Sequence, residues 1–204
     1  MNGKLQLIKN RLIEEMAKRK VYQSQAQEVF DKREEQNTRY ENAQKARSVI
    51  QAVAEQTQQH IEIQISTVVS SALAAVFPEP YEFKLKFVQR RNKTEADLLF
   101  IKNGNECDDI LAVGGGGVAD VVANVAFPLA IWSIRKTRNT MLWDEPSKFL
   151  HNPEYQEKAS LLIKEVSEKL NLQIIMISDQ KNILKKADKI FFVEQTKGVS
   201  VVSY

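Results

Sequence analysis

Cysteine is nearly absent from this chain: Cys107 is the single one in 204 residues. That excludes an internal disulfide and a Cys-rich zinc site, and it suits a reducing compartment. Histidine is almost as scarce. His60 falls in a polar helical stretch and reads as solvated, while His151 is too isolated for a metal cluster. Proline is missing from residues 1–59, where the sole glycine is Gly3. No Gly-Lys-Ser or Gly-Lys-Thr occurs anywhere, so the 204 residues hold no P-loop. The opening Met-Asn-Gly-Lys-Leu-Gln has no apolar core of a signal peptide. A strong charge of one sign is lacking too. The net charge of +3 permits contact with nucleic acid without arguing for it.

What is present is 43% hydrophobic and 27% charged, an ordinary soluble composition with enough chain for one core and an extension. The first sixty residues are dominated by Lys, Arg, Glu and Gln, good helix formers. Apolar residues recur at Leu5, Ile8, Leu12 and Met16. They continue more loosely at Val21, Val29, Tyr40, Ala43, Val49, Ile50 and Val53. The spacing drifts from a strict heptad. Residues 1–60 therefore read as a long solvated helix. It is either one arm of a coiled coil or a plain helical extension. Residues 61–204 read as the globular part.

Residues 61–76 continue helically with more apolar character, as a helix docked on that globular part does. Pro78 and Pro80 break the chain. Residues 81–88 alternate apolar and charged side chains, the pattern of a half-buried strand. A polar turn over 89–94 leads to a second strand at 96–101, and Asn103-Gly104 is a strong hairpin signal. Together they predict a β-meander. Beyond the glycine run at 114–117, residues 118–134 predict an apolar helix kinked at Pro128. A basic loop follows at 135–139, then a strand to Trp143. Residues 153–170 form an amphipathic crossover helix, and 172–178 a buried strand. A short helix at 182–187 and strands at 189–193 and 199–202 complete the chain. The alternation predicts a parallel α/β sheet with the meander attached. No internal repeat is present.

One stretch tests for a membrane span. From Ile110 to Ile134 the only charged side chain is Asp120. Four glycines, the central Asp120 and Pro128 favour a buried helix of an α/β core instead. Trp132 and Trp143 read as core residues. Arg135 to Arg138, with Arg90, Arg91 and Lys93, lack interleaved aromatics and read as solvated loops.

Chemistry concentrates in Met-Leu-Trp-Asp-Glu-Pro, residues 141–146. An apolar strand ends there in two adjacent carboxylates. At a sheet edge one carboxylate can hold Mg²⁺ through water and the other can take a proton from an attacking water. A strand closing in a charged turn has the same pattern, so the flanking segments decide. The glycines at 114–117 are the second signal. At a helix N-terminus they present N–H groups and the positive end of the dipole to phosphate; a flexible hinge has the same composition.

The order of these segments resembles the C-terminal lobe of an ABC-type ATPase head. A glycine loop opens an apolar helix, and a basic link leads to a strand ending in Asp-Glu-Pro. A helix then returns to a strand ending in Ile177-Ser178-Asp179. The branch it is most similar to is SbcC and SMC, coiled-coil ATPases of DNA repair and chromosome handling. Within that branch it resembles short ATPase-like proteins of phages and prophages. The resemblance implies an α/β lobe with a parallel sheet and attached meander, preceded by a coiled-coil arm. It implies ATP and Mg²⁺ as cofactors. Asp144 would hold Mg²⁺ through water and Glu145 would polarise the attacking water. Gly115 and Gly116 would contact the γ-phosphate of ATP held by a second head. Residues 147–151, from Ser147 to His151, would form the D-loop across the dimer interface. Asp179 would take the switch position.

The departures are specific. The signature serine is Gly114, and the polar residue after its glycines is Gly117. The D-loop aspartate is His151. The switch histidine is Asp179, an anion that repels phosphate unless Mg²⁺ or a lysine offsets it. The lobe carrying the P-loop and Q-loop is not in the sequence, so the chain is expected not to bind ATP tightly by itself. Three routes lead to function: a separate polypeptide supplying that lobe, a fragment of a longer reading frame, or a degenerate regulator docking on another head. The expectation is a cytoplasmic, non-membrane ATPase half-subunit in phage DNA recombination, repair or packaging-related metabolism. Its expected partners are a second ATPase lobe or homologous head, a nuclease subunit and DNA. The rival is a non-catalytic coiled-coil interaction protein with a scaffold lobe.

Overall fold

A computed structural model describes residues 2–79, 81–91 and 93–204; the expected break at Pro80 lies outside them, as do Met1 and Asn92. The chain divides into two compact units, Met1–Gln56 and Thr57–Tyr204.

The first unit is helix throughout its described residues, part of the single helix α1, Asn2–Val76. Every described side chain from 3 to 57 is exposed, including Leu5, Leu12 and Met16. Turn-to-turn ion pairs line it: Glu15 with Lys18, Glu28 with Lys32, and Glu35 with Arg39. Each contributes only a few tenths of a kcal/mol, roughly 0.2–0.5 in isolated helices. Propensity and these pairs form the helix here. No apolar face of this unit is covered within it.

In the second unit the end of α1 is packed. Ile65, Val69, Leu73 and Val76 recur at helical spacing and are buried in one cluster with Phe83 and Phe100. The meander comprises β1 (Glu82–Arg90), β2 (Lys93–Lys102) and β3 (Asn105–Cys107), antiparallel throughout. The polar turn expected over 89–94 is shorter than the sequence suggested. Arg90 pairs with Lys93, so both strands extend to the tip, with Arg91 at φ 51°. Two-residue turns of this hand match strand twist and need positive φ. Asn103 (φ 53°) and Gly104 (φ 81°) make such a turn between β2 and β3, as predicted.

β1 is an edge strand, and α1 satisfies its free amides. Phe83 N–H and Leu85 N–H donate to Ser70 Oγ and Ser66 Oγ, each at 2.9 Å, and Phe87 N–H donates to Glu62 Oε1. Four helical residues advance about 6 Å, and two strand residues advance nearly the same. Residues 62, 66 and 70 therefore match alternate residues of the strand. The edge is paired by side chains instead of by a fourth strand.

A short helical segment precedes the expected apolar helix, from which a kink at Gly115 separates it. α2 (Ile110–Val121) is capped by Asp109, whose Oδ1 accepts from Leu111 N–H and Ala112 N–H. A π-helical turn (Val122–Ala126) leads to α3 (Phe127–Ile134), with Pro128 in its first turn. Phe127 N–H bonds back to Val122 O, five residues away. The expected kink is thus a widened turn just before the proline, which gives a ring without an N–H room in the helix. By length and composition alone, residues 114–134 could cross a membrane; half of that stretch is buried inside the fold. Trp132 and Trp143 share a buried cluster with Val125, Leu129, Ile163 and Leu172.

β4 (Thr140–Asp144) and β5 (Gln173–Ile177) pair in parallel through the crossover helix α4 (Pro153–Leu170). Asn152 caps α4, and Asn171 ends it in the left-handed conformation. The parallel sheet stops at two strands. β6 (Phe192–Thr196) pairs only with β7 (Val199–Ser203), antiparallel, instead of extending it. Nor is β5 a buried strand. Met141, Trp143, Ile174 and Met176 face the tryptophan cluster, but Leu142 is 76% and Ile177 68% exposed. The apolar run belongs to a parallel strand made to be covered on both faces. This unit covers one.

Candidate functional site

The parallel register sets the site. Asp144 lies opposite Ile177, and Glu145 N–H extends the ladder to Ile177 O at 2.9 Å. The two strand ends thus carry Asp144, Glu145 and Asp179 to one end of the sheet. Asp144 and Asp179 are exposed, and Glu145 is half-buried.

The chain then reverses sharply. Glu145 has φ 46° and Ser147 φ 69°, with Pro146 between them. Left-handed conformations at two residues with side chains cost of order 1–3 kcal/mol each and persist only where the surroundings enforce them. Here Pro146 and Ser147 are fully buried, and Lys148 N–H and Leu150 N–H close turns onto Glu145 O and Ser147 O. Ser147 Oγ has no hydrogen-bond partner among the described residues.

Lys148 Nζ pairs with the Glu145 carboxylate. Its hydrogen bond and charge attraction to Glu145 raise the lysine pKa above its ordinary value, and Asp179 and Asp144 add to the effect. Asp179 is thus within electrostatic reach of a lysine. The place of Lys148 three residues after Glu145 was visible in the sequence, but the turn that folds it back was not. Gln180 joins the other strand end to the same loop: its Nε2 donates to Lys148 O, and its backbone N–H donates to Ser178 Oγ.

The glycines approach this loop from α2. Gly115 (φ 69°, ψ −176°) departs from helical geometry inside the helix, a conformation that favours glycine. The run is thus a break between a short helical segment capped by Asp109 and the apolar helix that opens after Gly115. A Cβ on Gly115 would meet nothing within 4 Å, so its outer side is open. A Cβ on Gly117 would lie 3.2 Å from Leu150 Cδ1 and 3.3 Å from Phe149 O, so that glycine permits close approach of the two segments. Gly116 sits over Phe149 at ordinary contact distance. A Cβ on Gly114 would collide with Val118 at 2.6 Å. Gly116 and Gly117 thus pack on Phe149 and Leu150, in the loop that follows the Asp144-Glu145 turn, while Gly114 and Gly115 make no approach to it. His151 is exposed, beyond the buried Leu150.

The donor set bears on Mg²⁺. Among the described residues no cluster of three or more His, Cys, Asp or Glu could hold a metal. One or two exposed carboxylates suit an ion that keeps several waters and takes its other ligands from phosphates. The residues fit Mg²⁺ carried by a nucleotide, not a metal bound by the protein alone.

No family model matches the chain, and no curated protein matches it. Solved structures do. One is an SMC ATPase structure from work on ATP-driven dimerisation and DNA-stimulated activation. It is 25% identical with TM-score 0.58, over 73% of this chain and 87% of that one. A second is an SMC head with an extended coiled coil, bound to the C-terminal domain of ScpA, from Pyrococcus furiosus. It is 23% identical with TM-score 0.54, over 76% and 39%. A third is the SMC head domain from Thermotoga maritima, 20% identical with TM-score 0.50, over 69% and 46%. The chain spans less than half the length of the latter two. Over about 70% of its residues it has the fold of an SMC head domain.

Proposed function

We propose that this chain is one half of an SbcC/SMC-like ATPase head, completed by a P-loop lobe from outside these 204 residues. One observation carries the reading: the parallel pair β4–β5 delivers Asp144, Glu145 and Asp179 to one end, and the loop that follows packs on Gly116 and Gly117. The uncovered apolar face of Leu142, Ile175 and Ile177 supports a second lobe as partner. Sequence resemblance supports the setting, cytoplasmic phage DNA recombination or repair, with DNA and a nuclease subunit as further partners.

Mg²⁺ and ATP, when bound, supply the electrophilic phosphorus and neutralise its charge. Asp144 would hold the ion, and Glu145 would polarise the attacking water once Lys148 released its carboxylate. Lys148 then faces Asp179 and Asp144, lowering the repulsion that three carboxylates exert on phosphate. The backbone of Gly115 and Gly116 approaches the γ-phosphate held by a second head, and residues 147–151 cross toward that head.

Titration calorimetry of the isolated chain with MgATP is expected to show no micromolar binding. Turnover is expected once a P-loop partner, sought in the reading frame immediately upstream, is added. Glu145→Gln then lowers kcat by about 10²–10⁴-fold, the range for loss of a general base, and leaves assembly intact. Retained turnover removes Glu145 from that role. The pairing of Glu145 with Lys148 favours a second reading, a non-catalytic interaction protein. Assembly with the partner and no turnover in the native sequence would support it.

A further inference from the structure

Asp120 is the one charged side chain between Ile110 and Ile134, and none of the roles above uses it. It is 4% exposed. Its Oδ2 accepts from Phe149 N–H at 2.6 Å, across 29 residues of sequence, and its Oδ1 accepts from Asn124 Nδ2. A carboxylate this deep is costly unless hydrogen-bonded, and these two donors offset that cost. The same helix brings Gly117 against Leu150 and Phe149 O. The two contacts act on one loop from one rigid element.

We infer that Asp120 is a positioning residue. Its carboxylate latches the loop after Asp144-Glu145 to the helix that carries the glycines, so that glycine backbone and carboxylate turn keep one relative placement. The inference deepens the ATPase reading and rests on it for its purpose. A latch of this kind lets a change at the glycine break reach Glu145 through the Asp120 carboxylate, Phe149, Lys148 and two tight turns.

The test is amide hydrogen exchange and ¹⁵N-resolved NMR on the full chain without nucleotide. In Asp120→Asn, volume is kept and charge is lost. The Phe149 amide is expected to lose about tenfold or more in protection, as loss of a charge-assisted hydrogen bond implies. The amides of Gly115, Gly116 and Gly117 are expected to change with it. Ser167→Ala is the control. It removes a hydroxyl that donates to Leu172 O, before the start of β5 and at the opposite end of the sheet, so it lowers stability away from both loops and leaves these amides in place. Gly117→Ala acts from the opposite side and serves if Asp120→Asn does not fold; it is expected to shift the Phe149 amide resonance. Glycine amides unmoved in Asp120→Asn, or Phe149 unmoved in Gly117→Ala, overturn the latch. No nucleotide enters the readout. A chain that never supports ATP turnover therefore removes the ATPase reading and leaves the latch, and unmoved amides do the reverse.

Discussion

At the scale of single residues, the turn after β4 concentrates conformational cost. Glu145 and Ser147 both hold positive φ, and Ser147 buries a hydroxyl without a partner. Most such turns would use glycine. Ser147→Gly removes the left-handed penalty and the unpaired hydroxyl, against the added chain entropy of glycine. The balance predicts a gain of up to about 1 kcal/mol in urea denaturation. A loss of stability would mean that the hydroxyl has a role in holding the turn. The Asp-Glu-Pro sequence identified the carboxylates from their position at the end of an apolar run. It did not identify Lys148 as the partner of Glu145, because a lysine three residues on is in reach only when the chain reverses. Asp120 was conspicuous as a lone charge, but its acceptor role depends on a loop 29 residues away.

At the scale of elements, three side chains of α1 substitute for a missing strand. Ser66→Ala and Ser70→Ala each leave a β1 amide without an acceptor. Each should cost roughly 1–3 kcal/mol if water cannot reach that amide and less if it can. Thermal denaturation of the single variants decides. The hairpin β1–β2 carries an ion pair between Arg90 and Asp97 across its tip. The Arg90 hydrogen bond, ahead of its charge, holds the Asp97 carboxyl below the usual range, with Lys86 assisting. A depressed pKa contributes stability that is fully present above the ordinary value, about 3.9, and is lost as pH falls through the depressed one. Asp97→Asn should therefore narrow the stability difference between pH 5 and pH 2, and unchanged acid sensitivity would exclude the pair as its source. Arg90 is exposed and Asp97 partly exposed, so solvent screening keeps the effect small. The alternation at 81–88 was legible because one face of the meander is solvated. The run at 172–178 misled because an apolar run records how a strand is covered in its complete setting, and here one face is open.

At the scale of the whole molecule, the chain has the fold of an SMC head domain, but the chemistry it carries is incomplete. It supplies carboxylates and a glycine break but no phosphate loop, and no cluster among the described residues binds metal by itself. Titration with Mg²⁺ alone is expected to give no saturable heat. Saturable binding without nucleotide would contradict an ion held mainly by phosphates. The two units also differ in what stabilises them. The second buries Phe83, Leu73 and Trp132 in packed clusters, while the first is one exposed helix. Helices without a packed face depend on a partner.

The sequence by itself determined the helix from propensity and the absence of proline, the meander from period-two alternation, and the Asp144-Glu145 pair from its strand end. It also showed that the phosphate loop is not here. These are local properties, set by neighbours within a few residues. Tertiary structure alone decided that the parallel sheet stops at two strands, that Lys148 folds onto Glu145, and that Asp120 holds the Phe149 amide. Each depends on segments far apart in sequence meeting at hydrogen-bond distance, and no pattern of period or composition encodes that meeting.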